Sequence, residues 1–341
     1  MEERETESPL FTFGLIADMQ YCNPLLYGRK EIRGNPSHPR SRHYLKTPDR
    51  LKEAIQTFEQ HGAAFAISLG DLIDTGFESY DLPLQIMEEE SSSSSAFPWY
   101  HVLGNHEFSV LGPEKAQVRD RLGMPANYYH FDYGNYCRFI VLNANEYSTF
   151  AHCKGSKLYK ESRSMKKYFQ EQHDKRDKDD LGCAPSSLSG ALGNVQLAFL
   201  RQSLHDATKA AKRVIICSHQ PADEIWDYHA LLETIRPFRQ SIVLFLSGHL
   251  HFGDEGILEE EGMDTMIPCI SLKAMIESPE NAYTLARFYH KRLELIGYGR
   301  QYFRGKKKKT LAQVISMKKL DMVGGIAQNL GTKKALTIHF N

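Results

Sequence analysis

Short apolar runs alternate along the chain with polar, turn-forming stretches, and five of those runs stop abruptly at a polar cluster. Residues 11–17 read as a buried strand ending at Asp18-Met19-Gln20, and residues 63–69 as a second one running into Gly70-Asp71-Leu72-Ile73-Asp74. Residues 99–103 lead into Gly104-Asn105-His106-Glu107, residues 214–217 into Ser218-His219, and residues 242–246 into Ser247-Gly248-His249-Leu250-His251. Between them the period lengthens to that of helices. Thr47-Pro48 opens a stretch with Leu51, Ala54, Ile55 and Phe58 on one face, and Val195, Leu197, Ala198, Leu200 and Leu204 do the same in 194–211. Shorter helices are expected over 82–90 and 231–235. A hairpin is expected in 128–144 around Tyr133-Gly134-Asn135, and meander strands over 267–272, 283–289 and 292–296.

The remaining segments read as connections. Residues 21–46, rich in Pro and Gly, form a long loop or lid carrying Arg29, Lys30, Arg33, Arg40 and Arg42, where a solvated loop and a phosphate-facing surface both remain open. The serine run 91–95 is a connector, and the densely charged 154–180 is a surface insertion, helical at best. The basic run 304–309 reads as a solvated boundary, followed by a tail of weak helical character. The expected organisation is an N-terminal tail (1–10), one catalytic domain (11–303) with the charged insertion, and a basic C-terminal tail (304–341).

Composition narrows the partners. Lys+Arg and Asp+Glu stand at 42 each among 341 residues, so charge gives no case for a nucleic acid or an anionic membrane as partner, and a small anionic substrate needs only a local basic site. Six cysteines without C-x-x-C spacing argue against a thiolate zinc site and a disulfide framework, hence for a reducing compartment. The acidic start lacks the form of a signal peptide and no apolar run approaches a bilayer's thickness, so a cytoplasmic protein is the expectation, and a monomer, since no feature specifies an oligomer interface.

The chemistry lies in the repetition of strand-end clusters. A lone aspartate there is usually a turn or cap residue, and a lone histidine a satisfied one. Five in succession, brought together by parallel strands at the edge of a sheet, suggest a metal site. Asp71 is suited to bridge two ions, with Asp18, Gln20 and His251 completing one site and Asn105, His219 and His249 the other. Strand alternation is expected to put Asp18 with Gln20 and His249 with His251 on one face. Two ions roughly 3.5 to 4 Å apart activate a water and stabilise in-line displacement at phosphorus. His106, offset from Asn105, stays free for proton transfer to the leaving oxygen; Asp74 either orients it or caps a helix, and Glu107 is either structural or a support behind the metal donors.

These blocks resemble the signatures of the calcineurin-like metallophosphoesterases. That resemblance implies a four-layer α/β/β/α sandwich with two mixed sheets, a two-metal site and His106 as the catalytic histidine. Most of the family has His where Gln20 stands; an oxygen donor there favours manganese, with magnesium as a substitute, over zinc. Gln20, Arg42-His43-Tyr44, Ala274-Met275-Ile276-Glu277 and Gly297-Tyr298-Gly299-Arg300 resemble the manganese-dependent ADP-ribose/CDP-alcohol diphosphatases. This finer resemblance implies hydrolysis of a pyrophosphate bond in small nucleoside diphosphate derivatives, giving a nucleoside monophosphate and a phosphorylated product. A cyclic-nucleotide phosphodiesterase, a phosphomonoesterase and a non-catalytic scaffold of the same fold are the alternatives.

Overall fold

Alternation along the first strand sends Phe13 against Phe65 and Phe139 on one side, while Gly14 on the other side lies against Phe58 of a covering helix. That division, inner face to a second sheet and outer face to helices, repeats through the molecule. The computed structural model describes residues 7–32, 40–90, 97–175, 182–258, 267–277, 280–303 and 334–340. Its strands are β1 (Phe11–Ile16), β2 (Phe65–Ser68), β3 (Trp99–His101), β4 (Tyr129–Tyr133), β5 (Cys137–Val141), β6 (Arg213–Cys217), β7 (Ile242–Ser247), β8 (Phe252–Leu258), β9 (Ile267–Lys273), β10 (Ala282–Phe288), β11 (Arg292–Gly299) and β12 (Ala335–His339). Its helices are α1 (Pro24–Tyr27), α2 (Thr47–Gln60), α3 (Asp81–Glu90), α4 (Val118–Arg121), α5 (Lys157–Asp174), α6 (Gly193–Lys209) and α7 (Tyr228–Ile235).

One sheet has the order β12-β11-β10-β1-β2-β3 and the other β4-β5-β6-β7-β9-β8. β1, β2 and β3 run parallel, as do β5, β6, β7 and β9, while antiparallel strands complete both sheets. Phe65 of β2 meets Phe131 and Phe139 of the opposite sheet edge to face at 5.5 and 5.2 Å, a packing that fills the space between sheets with interlocking rings. Leu51, Ala54, Ile55 and Phe58 of α2 are buried against the first sheet, and Leu197, Leu200 and Leu204 of α6 with Leu231 and Ile235 of α7 against the second. The result is a four-layer α/β/β/α sandwich with two mixed sheets.

Several local expectations change. The run 267–272 belongs to the second sheet as β9, parallel to β7, and not to a meander with β10 and β11. Its antiparallel neighbour β8 escaped notice because Gly253-Asp254-Glu255-Gly256 has no apolar alternation, as suits a half-exposed edge strand. The helix opened by Thr47-Pro48 starts at Thr47 itself, with Lys46 at the cap position, and the Thr47 hydroxyl donates back to Tyr44 O at 3.0 Å. In the charged insertion Ser156 caps α5, an exposed helix in which Ser162 is the buried residue. Of the C-terminal tail, residues 335–339 form β12, an edge strand on β11, where weak helix was expected. The serine run and the basic run 304–309 lie outside the described residues.

Candidate active site

All five polar clusters lie just beyond the C-terminal ends of parallel strands, yet of two sheets and not of one edge. β1, β2 and β3 deliver Asp18/Gln20, Asp71/Asp74 and Asn105/His106, and β6 and β7 deliver His219 and His249/His251. Backbone bonds tie these ends together: Asp18 N donates to Gly70 O at 3.1 Å, Gln20 N to Asp71 O at 2.8 Å and Gly248 N to His219 O at 3.0 Å. Gly104 makes a close approach possible, since a Cβ there would lie 2.3 Å from Asp71 Oδ1.

The backbone is strained where the donors sit. Asp18, Gln20, Asp71, His249 and His251 have φ of 49, 46, 55, 68 and 60°, and Ala211 is the one other non-glycine with positive φ among the described residues. Each such conformation costs of order 1–3 kcal/mol and persists because the surroundings dictate it. The i, i+2 pairs therefore share a side through left-handed turns past β1 and β7. The strand alternation invoked from sequence is not the cause.

Asp71 stands at the centre. Its Oδ1 accepts from His106 N at 2.7 Å, and its Oδ2 accepts from Gln20 Nε2 at 3.0 Å and lies 3.3 Å from His219 Nε2. Burial opposes its ionisation, but the surrounding imidazoles of His219, His106 and His249 hold its carboxyl well below the usual range. Burial likewise pulls His219 down, while Asp71, Asp18 and Glu107 override it and push it up to about 10, so the local field favours a cation. Asp18 Oδ2 accepts from His249 N at 3.0 Å, and its Oδ1 lies 3.5 Å from His251 Nε2.

Each histidine is held from behind. His219 Nδ1 donates to Leu69 O at 2.8 Å, which turns Nε2 inward. His251 Nδ1 donates to Glu277 Oε1 at 2.7 Å, with Arg42 Nη1 3.6 Å from the same carboxylate oxygen. His249 Nε2 lies 3.2 Å from Glu224 Oε2, leaving Nδ1 3.2 Å from His219 Nε2. A carboxylate or carbonyl behind a ligating imidazole fixes its tautomer and aim. Burial lowers the His251 pKa against the pull of Glu277 and Asp18.

The donor set fits divalent ions on its own terms. Asp18 Oδ1, Gln20 Oε1 and Asn105 Oδ1 are buried without a hydrogen-bond partner, and inward atoms of Asp71, His219 and His249 all lie within 4.8 Å of one another. Buried oxygens of this kind are costly unless something satisfies them. His106 stands apart: its Nδ1 faces Asp74 O at 2.8 Å and Asp74 Oδ1 at 3.6 Å, and its side chain is 23% exposed. Asp74 caps no helix; its Oδ2 lies 3.3 Å from Arg29 Nε.

Glu107 binds the cluster from below. Its Oε2 accepts from Asp71 N and Gly104 N at 2.7 and 2.8 Å, and its Oε1 from Leu72 N at 2.6 Å. Burial and the adjacent Asp71 push it up to about 7, against His219 and the N–H donors, which favour its charge. Glu277 and Glu224 received no role from sequence. Glu277 lay in a stretch already singled out, whereas Glu224, in a turn five residues past His219, gave no local signal.

A two-sheet sandwich with imidazole, carboxylate and amide donors gathered at its strand ends is the architecture of a metal-assisted hydrolase. The family model described as calcineurin-like phosphoesterase matches residues 11–253, and the chain belongs to that family. It is 27% identical over 312 residues to a protein of Oryza sativa subsp. japonica named manganese-dependent ADP-ribose/CDP-alcohol diphosphatase, covering 86% of this chain and 92% of that one. A Danio rerio protein of the same name is 28% identical over 330 residues, covering 86% and 97%. The crystal structure of a dimetal phosphatase from Danio rerio superposes with a TM-score of 0.69 at 26% identity, covering 86% and 97%.

Proposed function

We propose that this protein hydrolyses the pyrophosphate bond of ADP-ribose and of CDP-alcohols such as CDP-choline, releasing AMP or CMP and a phosphorylated product. The observation that carries it is the set of buried, unpartnered oxygens on Asp18, Gln20 and Asn105, facing a cluster whose histidines are aimed inward. The names of the relatives in rice and zebrafish support the substrate class and manganese.

In this reading Asp71, Asp18, Gln20 and His251 would hold one ion, and Asp71, Asn105, His219 and His249 the other. Oxygen donors from Gln20 and Asn105 among three imidazoles suit manganese, with magnesium as substitute. Two such ions supply a polarised phosphoryl group and a water acidic enough to attack at neutral pH. The protein's own part is positioning and proton delivery. Because Asp74 O can only accept, the proton facing it sits on His106 Nδ1, and Nε2 is the atom that delivers a proton to the leaving oxygen. Asp74 positions that ring, and Glu107 fixes Asp71 by three N–H contacts around it.

Release of nucleoside monophosphate from ADP-ribose, CDP-choline and cyclic AMP, each with manganese and with magnesium, tests the substrate class. Manganese-dependent cleavage of the first two is expected. Cleavage of cyclic AMP alone would contradict the diphosphatase reading while leaving the fold family intact.

A further inference from the structure

The even charge of the whole chain conceals a local imbalance at the mouth of the site. Residues 21–32 and 40–46 carry five cations, Arg29, Lys30, Arg40, Arg42 and Lys46, against one carboxylate, Glu31. Two of these cations are paired within the site, Arg29 with Asp74 and Arg42 with Glu277 beside His251, and Glu78 adds a second carboxylate to the rim at Tyr27, so the excess rests on Lys30, Arg40 and Lys46. Arg40 stands 5.9 Å over the ring of Phe252, the residue after His251, and Lys30 and Lys46 are exposed.

The same segment exposes large apolar side chains. Leu25 is 94% exposed, Leu26 63%, Ile32 49% and Leu45 64%, four of the ten large hydrophobics exposed among the described residues. Their presentation is built. Asn23 caps α1 by accepting from Leu25 N at 3.1 Å, and Tyr27 is anchored by its ring on Gly76 and its hydroxyl on Glu78, so the turn holds its two leucines outward. Ile32 pairs with Arg42 through two backbone bonds, and Glu31 accepts from Leu45 N at 3.2 Å, which ties the backbone carrying the other two together.

We propose that this rim is an interfacial surface that docks on anionic lipid bilayers and presents the active-site mouth to the membrane. Apolar side chains beside exposed cations match the headgroup boundary of such a bilayer, where leucines insert and lysines and arginines meet lipid phosphates. Charge selects this occupant over a second copy, because a two-fold contact would set the same cations against one another. The surface spans nothing: no helix among the described residues is long and apolar enough to cross a membrane.

Co-sedimentation of the full chain with vesicles of phosphatidylcholine alone, and of phosphatidylcholine with phosphatidylserine, tests the proposal without any assumption about substrate. Binding to the anionic vesicles, weakened by salt, is expected. Leu25→Ser with Leu26→Ser should lower the partition constant about tenfold or more, since burying a leucine contributes about 1.5–3 kcal/mol and 1.4 kcal/mol is tenfold. Lys30→Glu with Lys46→Glu should lower it separately, and thermal unfolding of both variants should match the parent. No binding of the parent to anionic vesicles, or binding indifferent to both pairs, would overturn the proposal. So would a parent dimer in light scattering that the leucine pair dissociates, which would assign the face to a second copy.

Discussion

The donors explain little without the residues behind them. Glu277 accepts from His251 Nδ1, and Ser41 donates to its other oxygen through both backbone N and hydroxyl, so one carboxylate fixes a histidine and a loop together. Glu277→Gln removes the charge that holds the His251 tautomer. Manganese affinity should fall about 10- to 100-fold, read by calorimetric titration, and an unchanged affinity would count against the role given to Glu277. The residue types of the site were legible because Asp, Asn and His recur where apolar runs end. The supporting carboxylates were less so: Glu224 and Glu277 meet their histidines only through tertiary folding, and no spacing in sequence marks such a pair.

Strands and the loops that follow them are the level at which sequence reading succeeded most evenly. β1, β2, β6 and β7 fall within the apolar runs or within a residue of them, because a buried strand needs little beyond apolar length and a polar stop. Pairing was harder to read: β9 is apolar enough for either sheet, and only packing assigns it to β7. Hidden as well were the five left-handed positions: aspartate and histidine enter positive φ more readily than most residues, yet nothing local marks which of the chain's many do so. The loops tolerate no added bulk where they meet. Gly104→Ala would place a methyl 2.3 Å from Asp71 Oδ1 and 2.6 Å from Asp71 N. A stability loss of about 1–3 kcal/mol is expected in urea denaturation, together with weaker manganese uptake; an alanine variant of parental stability would show that the loops can move apart.

For the molecule as a whole, two sheets joined by aromatic packing hold the site at their common end, and its behaviour with pH follows from what that packing buries. His101, at the end of β3, is buried, and burial alone pushes its imidazole down to about 4. The unfolded chain, with a histidine pKa of about 6.5, takes up a proton between those values that the native protein refuses. The His101 contribution is therefore intact above about 6.5 and is lost as pH falls through 4, at about 1.4 kcal/mol per pH unit. His101→Leu should flatten the stability profile between about pH 6.5 and 4, measured by urea denaturation at several pH values; an unaltered slope would place the acid sensitivity elsewhere.

The central claim is that five strand ends from two sheets build one metal-dependent hydrolytic centre with His106 as its proton donor. Bound manganese and AMP released from ADP-ribose, measured in the same samples of parent and His106→Ala, test it most directly. The account predicts about two ions per chain in both proteins, with turnover lower by about 10²–10⁴-fold in the variant. Full activity in His106→Ala, or a parent chain that takes up no manganese, would contradict it.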